Sequence, residues 1–306
     1  MDIKKGYFLV FSTAVISGLA IFINKFSVSV INPYIFTWLK NLTVAILLTG
    51  LLLAFKDWQA LKKLTKKQWL LLAMIGLVGG AIPFLLFFKG LSLTTAGEGA
   101  FIHKTMFIYV AVLASIFLKE KIDKRFLFGG LILLLANLLL LKKLPLAINQ
   151  GDFLVFLATL LWATENIISK YILRLKDLEG RTVAWARMFF GSLFIFLFLF
   201  STGQLSLASQ LNFQQISWIG ITSIILFGYV VTWYSGLKYI PISQATVILL
   251  LGSPITTLLS LISGGQVVFQ EILAGVLVIL GVIFIIGFKK IWQFIKEMQK
   301  SIYVRA

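Results

Sequence analysis

Three ionisable side chains stand close together in an otherwise apolar stretch, TTAGEGAFIHKTMFIYV, at residues 94–110. Glu98, His103 and Lys104 bring a carboxyl group, the only histidine of the chain and an ammonium group. Such groups can hold a charged molecule or exchange a proton with it. Because an ionisable group inside an apolar helix is costly unless it faces a protein interior, the stretch predicts an internal polar site. The structural alternative is an ion pair of Lys104 with Glu98 or Glu165 that only locks helices together.

A second carboxyl group, Glu165, lies deep inside another apolar run. At helical spacing, one face of that run carries four side chains able to contact a ligand: Trp162, Glu165, Asn166 and Ser169. This face predicts a site for a substrate or a proton. The competing interpretation is that Glu165 pairs with a neighbouring helix and has no ligand.

Two further stripes of polar or aromatic side chains give weaker indications. Ser17 and Asn24 share a face of the first apolar run, and Tyr229 and Trp233 share a face of a later one. Gln244 occupies, in the second half of the chain, the position that a glutamate holds in the stretch at 94–110. We include all five as candidate ligand contacts. Small hydroxyl residues also pack helices together, and Tyr and Trp also mark the membrane–water interface.

Composition explains what surrounds these side chains. Of the 306 residues, 59% are hydrophobic and 28 are phenylalanine, and the mean hydropathy is +0.99. Apolar runs of about 20 residues are typical of membrane-spanning helices. The runs predict an all-α membrane protein with ten spans, at about 7–30, 34–55, 69–92, 96–118, 126–143, 152–173, 182–202, 215–237, 242–263 and 271–288.

The net charge of +17 has a pattern that orients these spans. If the N-terminus is cytoplasmic, the inside segments hold 21 lysines and arginines, and the outside segments hold only Lys142 and Lys143. This bias predicts that both termini lie in the cytoplasm of a multi-pass cell-membrane protein. It favours contact with anionic lipid headgroups over nucleic acid. Residues 291–306 predict a basic amphipathic helix on the inner surface.

A few basic residues lie inside the spans, nearer to their ends. We interpret Lys25, Lys40, Lys89 and Arg187 as anchors whose charges reach the headgroups.

The two halves of the chain repeat one another. GYFLVF at Gly6 matches GDFLVF at Gly151, and the Gly-Leu pair at Gly90 matches that at Gly236. Lys25 matches Lys170 in the same register. Five spans are an odd number, so the second repeat enters the membrane from the opposite side and the repeats are inverted. The organisation is therefore a first repeat at 1–145, a second at 146–290 and a tail at 291–306.

These motifs resemble the drug/metabolite transporter superfamily, EamA type. The resemblance rests on TWLKNL and AWARMF at the starts of spans two and seven, on GLKYIPISQATVILLLGSPITTLLS, and on the endings FLKEKI…GGLIL and SGGQVV…AGVLVIL. It implies ten helices around a central cavity, lined mainly by helices 1, 3, 4, 6, 8 and 9. One departure is Pro254 in span nine, since the first repeat has Ile108 at that position.

Several kinds of chemistry are disfavoured. Without cysteine there are no disulfides or thiol catalysis, and one histidine makes a zinc site improbable. The sequence contains no nucleotide-binding motif, which argues against an ATP-driven pump. No cofactor or metal is expected.

The sequence thus predicts a secondary transporter, and not an enzyme, that moves a small metabolite by alternating access. An amino acid is the best guess, with Glu165 contacting its ammonium group and Lys104 and His103 its carboxylate. Trp162, Trp233 and Tyr229 would shape the pocket, and proton coupling is a hypothesis. The alternatives are an intramembrane enzyme acting on lipid, with Glu98, His103 and Lys104 as acid/base groups, and a carrier of nucleotide sugars or phosphate esters.

Overall fold

The computed structural model describes residues 3–27, 31–141, 149–175 and 178–288. Within these ranges the chain forms helices and turns, with no strand. Ten helices make up the bundle: α1 Ile3–Ser27, α2 Pro33–Ala54, α3 Lys66–Leu91, α4 Ala96–Lys104 and Met106–Phe117, α5 Lys124–Leu138, α6 Gln150–Arg174, α7 Gly180–Ser201, α8 Phe213–Leu237, α9 Ile242–Leu249 and Gly252–Ile262, and α10 Phe269–Ile286. A short helix, Trp58–Leu61, follows α2, and a 3₁₀ segment, Gln204–Gln210, precedes α8.

The prediction of ten spans is confirmed by this architecture. In the described ranges, nine helices are long and apolar enough to cross a membrane. The tenth, α5, has 15 residues up to Leu138. The predicted surface helix at 291–306 and the outside lysines at 142 and 143 lie beyond the described residues.

Two helices are discontinuous at matching positions. In α4 the break falls at Thr105, whose hydroxyl donates to the carbonyl oxygen of Ile102 at 2.6 Å. In α9 the break falls at Leu250 and Leu251, at the same place in the second repeat. Discontinuous helices expose backbone polar groups at membrane depth, and they recur where transporters bind their ligands.

Helix α3 differs from its counterpart α8 in the second repeat. A π-helical turn at Gly76–Ala81, sequence GLVGGA, interrupts α3, whereas α8 is a regular helix throughout. A π turn widens the backbone spiral and changes which carbonyl groups are available to side chains. The two repeats therefore share a fold but present different surfaces to the centre of the bundle.

The packing shows that the repeats are inverted. Helix α2 runs antiparallel to its counterpart α7: Tyr34 packs against Phe198 at one end, with 5.6 Å between ring centroids. At the other end, the indole nitrogen of Trp185 donates to the hydroxyl of Thr49 at 3.0 Å. A helix that packs antiparallel to its own copy requires a two-fold axis in the membrane plane.

The matched glycines of the sequence repeat make equivalent contacts. Gly6 of α1 lies against Gly236 of α8, and Gly151 of α6 lies against Gly90 of α3. A Cβ added at Gly6 would come within 3.4 Å of the carbonyl oxygen of Gly236, and one at Gly90 within 2.8 Å of that of Gly151. Small residues let helix backbones approach this closely, so the repeated glycines set the α1–α8 and α3–α6 crossings.

The bundle is closed at one end, which we call the basic end and define by the turns at 55–65, 118–123 and 238–241. The first segment of α9, at this end, buries six of its eight residues and packs against α1, α4, α6, α8 and α10. In the second segment only Gly252 is buried, and this segment packs mainly against α1 and α10. Helix α9 is therefore more tightly packed at the basic end than at the opposite end.

Charged side chains close the basic end by binding backbone groups. Lys170 of α6 is buried, and its ammonium group donates to the carbonyl oxygens of Leu237 and, at 2.7 Å, of Ile240. The carboxylate of Glu120 accepts from the backbone nitrogens of Ile242 at 2.9 Å and Ser243 at 3.1 Å. Both contacts hold the turn between α8 and α9. That of Lys170 lies within the second repeat, whereas that of Glu120 fastens the start of α9 to the loop after α4.

Candidate functional site

Glu165 of α6 lies in the interior of the helix bundle. Its side chain is buried, with 2% of the residue exposed. The hydroxyl of Tyr234, from α8, donates to its Oε1 at 2.8 Å, and the hydroxyl of Ser169, one turn along α6, donates to the same oxygen at 2.5 Å. Both of these hydrogen bonds fall on Oε1, and the described part of the chain supplies no hydrogen bond to Oε2.

Arg187 of α7 lies next to this carboxylate, which the sequence did not predict. Its Nη2 donates to the carbonyl oxygen of Gly79 at 3.1 Å, and its Nε is buried with no hydrogen-bond partner in the described part of the chain. Glu165 and Arg187 interact electrostatically. The interpretation of Arg187 as a headgroup anchor is therefore wrong, because its guanidinium group turns into the bundle.

Gly79 separates these two charged side chains. A Cβ at this position would come within 2.9 Å of Cδ of Glu165 and 3.2 Å of Nε of Arg187. The π turn that contains Gly79 also offers its carbonyl oxygens to side chains of other helices: that of Gly79 accepts from Nε1 of Trp162 at 3.0 Å, and that of Gly80 from Nδ2 of Asn41 at 3.0 Å. The π turn thus fixes the positions of Trp162 and Arg187 around Glu165.

Placing a methyl group at Gly79 should disturb this arrangement directly. We expect Gly79→Ala to lower transport activity at least severalfold, because overpacking of this kind costs about 1–3 kcal/mol and displaces both charged groups. Gly220→Ala is the matched control, since a Cβ at Gly220 would meet nothing within 4 Å. Transport assays on both purified variants, beside their melting temperatures, check the prediction; equal activity in the two would contradict it.

His103 belongs to an aromatic cluster on the same side of the bundle. Its ring centroid lies 4.9 Å from that of Trp162 and 5.5 Å from that of Phe87. Its Nδ1 is buried and has no hydrogen-bond partner among the described residues. The structure therefore brings His103 together with Trp162, which lies one helical turn from Glu165 on α6.

Lys104 points to a different place. Its ammonium group donates to the hydroxyl of Ser253 at 3.0 Å and interacts electrostatically with Glu271, near the start of α10. These groups line a cavity of about 20 Å³ together with Asn137. No ion pair of Lys104 with Glu98 or Glu165 occurs in the described ranges. The sequence missed Ser253, Asn137 and Glu271 because they become neighbours only through packing of α5, α9 and α10.

Glu98 has a structural role. It completes a capping box at the start of α4: Oε2 accepts from the hydroxyl of Thr95 at 2.8 Å, and the Thr95 hydroxyl accepts from the backbone nitrogen of Glu98 at 3.2 Å. The hydroxyl of Thr94 bridges Glu98, at 3.0 Å, and Asp152, at 2.5 Å. These contacts tie the starts of α4 and α6 together.

The remaining candidates are spread over several helices. Tyr229 stacks on Trp233, with 6.3 Å between ring centroids, and it interacts electrostatically with Arg187. The side-chain nitrogen of Asn166 donates to the carbonyl oxygen of Trp162 at 2.8 Å, within α6. Gln244 accepts from the hydroxyl of Tyr7 at the basic end.

Ser17 and Asn24 lie on α1. A Cβ at Gly252 would approach the hydroxyl of Ser17 to 3.2 Å, so Ser17 lies beside the break in α9. Asn24 lies toward the end of the helix away from the basic end and is half-buried. Of the predicted residues, the structure thus gathers Glu165, Trp162, His103, Tyr229 and Trp233 around one region. It holds Lys104, Glu98, Gln244 and the α1 residues elsewhere.

Metal ligation has no support in this part of the chain. Within the described ranges, no three His, Asp or Glu side chains lie close enough together to hold a metal ion.

Ten helices in two inverted repeats, discontinuous helices and buried charges between them define a membrane transporter of the inverted-repeat class. The sequence profile of the EamA-like transporter family matches the chain twice, at residues 4–142 and 149–287. The chain therefore belongs to the EamA-like transporter family, and the predicted resemblance is confirmed.

Proteins with similar sequences include transporters that are described as uncharacterized. The uncharacterized transporter YyaM of Bacillus subtilis (strain 168) is 26% identical over 310 residues, covering 97% of this chain and 98% of that protein. An uncharacterized transporter from a Sinorhizobium species is 28% identical over 111 residues, covering 36% of this chain and 78% of that protein. One solved crystal structure matches with a TM-score of 0.71 and 16% identity, covering 91% of this chain and 95% of that chain, which supports the fold alone.

Proposed function

We propose that this protein is a secondary transporter that moves an amino acid, or a related small amphiphilic metabolite, across the cell membrane by alternating access. The observation that carries the proposal is the buried carboxylate of Glu165, which accepts from two hydroxyl groups of the second repeat and lies against Gly79 of the first. A buried negative charge among aromatic side chains suits an ammonium group of the substrate. Family membership supports transport and leaves the substrate open.

Alternating access gives the asymmetric packing a function. With the N-terminus in the cytoplasm, as the charge bias predicts, the basic end is the cytoplasmic end. The tight packing of α9 there, and the looser packing of its second segment, would then fit a conformation in which α9 opens toward the outside. Reporter tags at both termini test the orientation; one terminus on each side of the membrane would exclude it.

Proton coupling is part of the proposal because Glu165 is an ionisable group buried in a membrane-spanning helix. Counterflow in liposomes, with labelled substrate outside and unlabelled substrate inside, measures transport at several pH values. We expect saturable exchange that responds to an imposed proton gradient. Exchange without any proton movement would remove the coupling and leave the transport proposal intact.

The enzymatic alternative has less support. An acid/base site on lipid would need Glu98, His103 and Lys104 to converge on one reacting group. Glu98 instead caps α4, His103 packs among aromatic rings, and Lys104 binds Ser253. Turnover of a lipid substrate in detergent, without a membrane gradient, would favour the enzyme over the transporter.

A further inference from the structure

We propose that the ligand is a zwitterion whose carboxylate binds Arg187 while its ammonium group binds Glu165, with both charges on one short skeleton. The proposal rests on the proposed transport function and names the chemistry of the substrate and its second charged contact. It differs from the sequence-based prediction, which assigned the carboxylate to Lys104 and His103.

The first argument is that each charged group has an unused bonding position. Arg187 uses Nη2 for the carbonyl oxygen of Gly79, while its Nε is buried with no partner among the described residues. Both hydrogen bonds recorded for Glu165 fall on Oε1. Buried polar atoms are normally bonded, so an unpaired donor beside an acceptor with free capacity indicates a ligand that carries the complementary groups.

The second argument is that the two charges are near each other without forming an ion pair. Both flank Gly79, yet no hydrogen bond or close ion pair joins them within the described part of the chain. Two isolated opposite charges at this depth would normally pair, because burial of an unpaired charge is costly. A ligand with one charge of each sign satisfies both groups at once and keeps the site neutral overall.

Lys104 is the cation to which the sequence-based prediction assigned the carboxylate, and it is less suited to that role than Arg187. Its ammonium group already has Ser253 as an acceptor and Glu271 as a counter-charge. Arg187 also has the better shape for the task, since a guanidinium group can bind a carboxylate through two parallel hydrogen bonds. Arg187 is therefore the better candidate for the carboxylate, because its Nε has no partner among the described residues, whereas the Lys104 ammonium group is already bonded to Ser253.

Aromatic side chains limit the rest of the ligand. Tyr229 interacts electrostatically with Arg187 and stacks on Trp233, and Trp162 packs against His103 on the side of α3 and α4. Rings of this kind favour an apolar side chain on the ligand, or a planar one. The inference thus points to amino acids with apolar or aromatic side chains.

Matched ligands can test the two charges separately. Purified protein is screened by thermal stabilisation against leucine and phenylalanine, against their amides, which lack the carboxylate, and against the corresponding deaminated acids. We expect the zwitterions to stabilise the protein and each singly charged analogue to bind at least tenfold more weakly. Equal stabilisation by an analogue with one charge would overturn the proposal.

Variants then assign each charge to its residue. Arg187→Gln should lose the preference for the amino acid over its amide, and Glu165→Gln should lose the preference for the amino acid over its deaminated acid. A purely structural role would weaken all three ligands alike and would not change the order of preference. Arg187→Lys keeps the positive charge and should retain part of the preference, which guards against a variant that fails to fold.

Lys104→Met, which removes the cation to which the sequence assigned the carboxylate, separates this proposal from the sequence-based one. We expect it to keep the preference for the amino acid over its amide. Loss of that preference in Lys104→Met, with Arg187→Gln unaffected, would assign the carboxylate to Lys104 and overturn the proposal. If counterflow succeeds only with singly charged substrates, the proposal of a zwitterionic ligand is wrong, although the protein is still a transporter. If no substrate gives counterflow, the proposed transport function itself fails.

Discussion

Glu165→Gln should reduce transport at least tenfold while leaving the protein folded. The amide oxygen can still accept from Tyr234 and Ser169, so the hydrogen bonds that hold the side chain persist. What disappears is the negative charge opposite the ligand's ammonium group. Loss of one partner of a buried, hydrogen-bonded charge pair costs about 2–5 kcal/mol, and about 1.4 kcal/mol corresponds to a tenfold change in affinity.

The measurement is initial-rate counterflow in liposomes, with the amount of folded protein checked by gel filtration. Glu179→Gln is the matched control, because it removes a carboxylate from an exposed ion pair with Lys238 at the basic end. Such surface pairs contribute little to stability, so this variant should transport nearly as well as the wild type. Wild-type rates in Glu165→Gln would reduce Glu165 to a packing role between α6 and α8.

The fold could be predicted from the sequence because it depends on local features, which can be recognised one span at a time. Apolar runs mark the spans, and these coincide with the helices of the bundle. The orientation inferred from the lysines and arginines between them stays a prediction. The repeated glycines, Gly6 with Gly151 and Gly90 with Gly236, fixed the register of the repeats. They turn out to be the points at which α1 meets α8 and α3 meets α6.

The site was only partly accessible, for two physical reasons. Helical periodicity gives the face that Trp162 and Glu165 share, but it does not say which neighbouring helix that face meets. Arg187 was therefore placed with the anchors, although it lies seven residues beyond the start of α7. The glycine-rich run GLVGGA was visible, but nothing in it specifies a π turn, which depends on the side chains that bind its carbonyl oxygens.

The structural role of Glu98 could have been predicted from the sequence. Thr95 followed three residues later by a glutamate is the pattern of a capping box, and the structure contains that box. The role of Lys170, by contrast, could not be predicted from the sequence. It was one of the 21 basic residues assigned to the inside segments. In the structure it is buried, and its ammonium group binds two carbonyl oxygens.

Lys170→Met is expected to open the basic end. The lysine binds carbonyl oxygens of Leu237 and Ile240, and these two bonds hold the turn between α8 and α9 in the closed arrangement. Hydrogen bonds to a charged group contribute about 1.5–3 kcal/mol each, and a conformation in which α8 and α9 move away from α6 does not contain them. A net loss of about 2 kcal/mol would raise the fraction of open molecules about thirtyfold.

The absence of cysteine from the sequence makes this opening measurable. Thr246→Cys introduces a single thiol in the first segment of α9, where the residue is only 2% exposed. Its rate of labelling by a membrane-impermeant thiol reagent, applied from the basic end, should rise at least severalfold when Lys170→Met is added. Glu120→Ala, which removes the contacts to Ile242 and Ser243, should act in the same direction.

The inverted repeat supplies the control and extends the argument to the other half of the cycle. Lys25 corresponds to Lys170 in the first repeat, so Lys25→Met changes the same residue type at the equivalent sequence position. If each repeat fastens one end of the bundle, Lys25→Met should leave the thiol at position 246 protected or protect it further. Equal labelling in both variants would mean that the two lysines merely anchor helices, and that closure of the basic end depends on apolar packing.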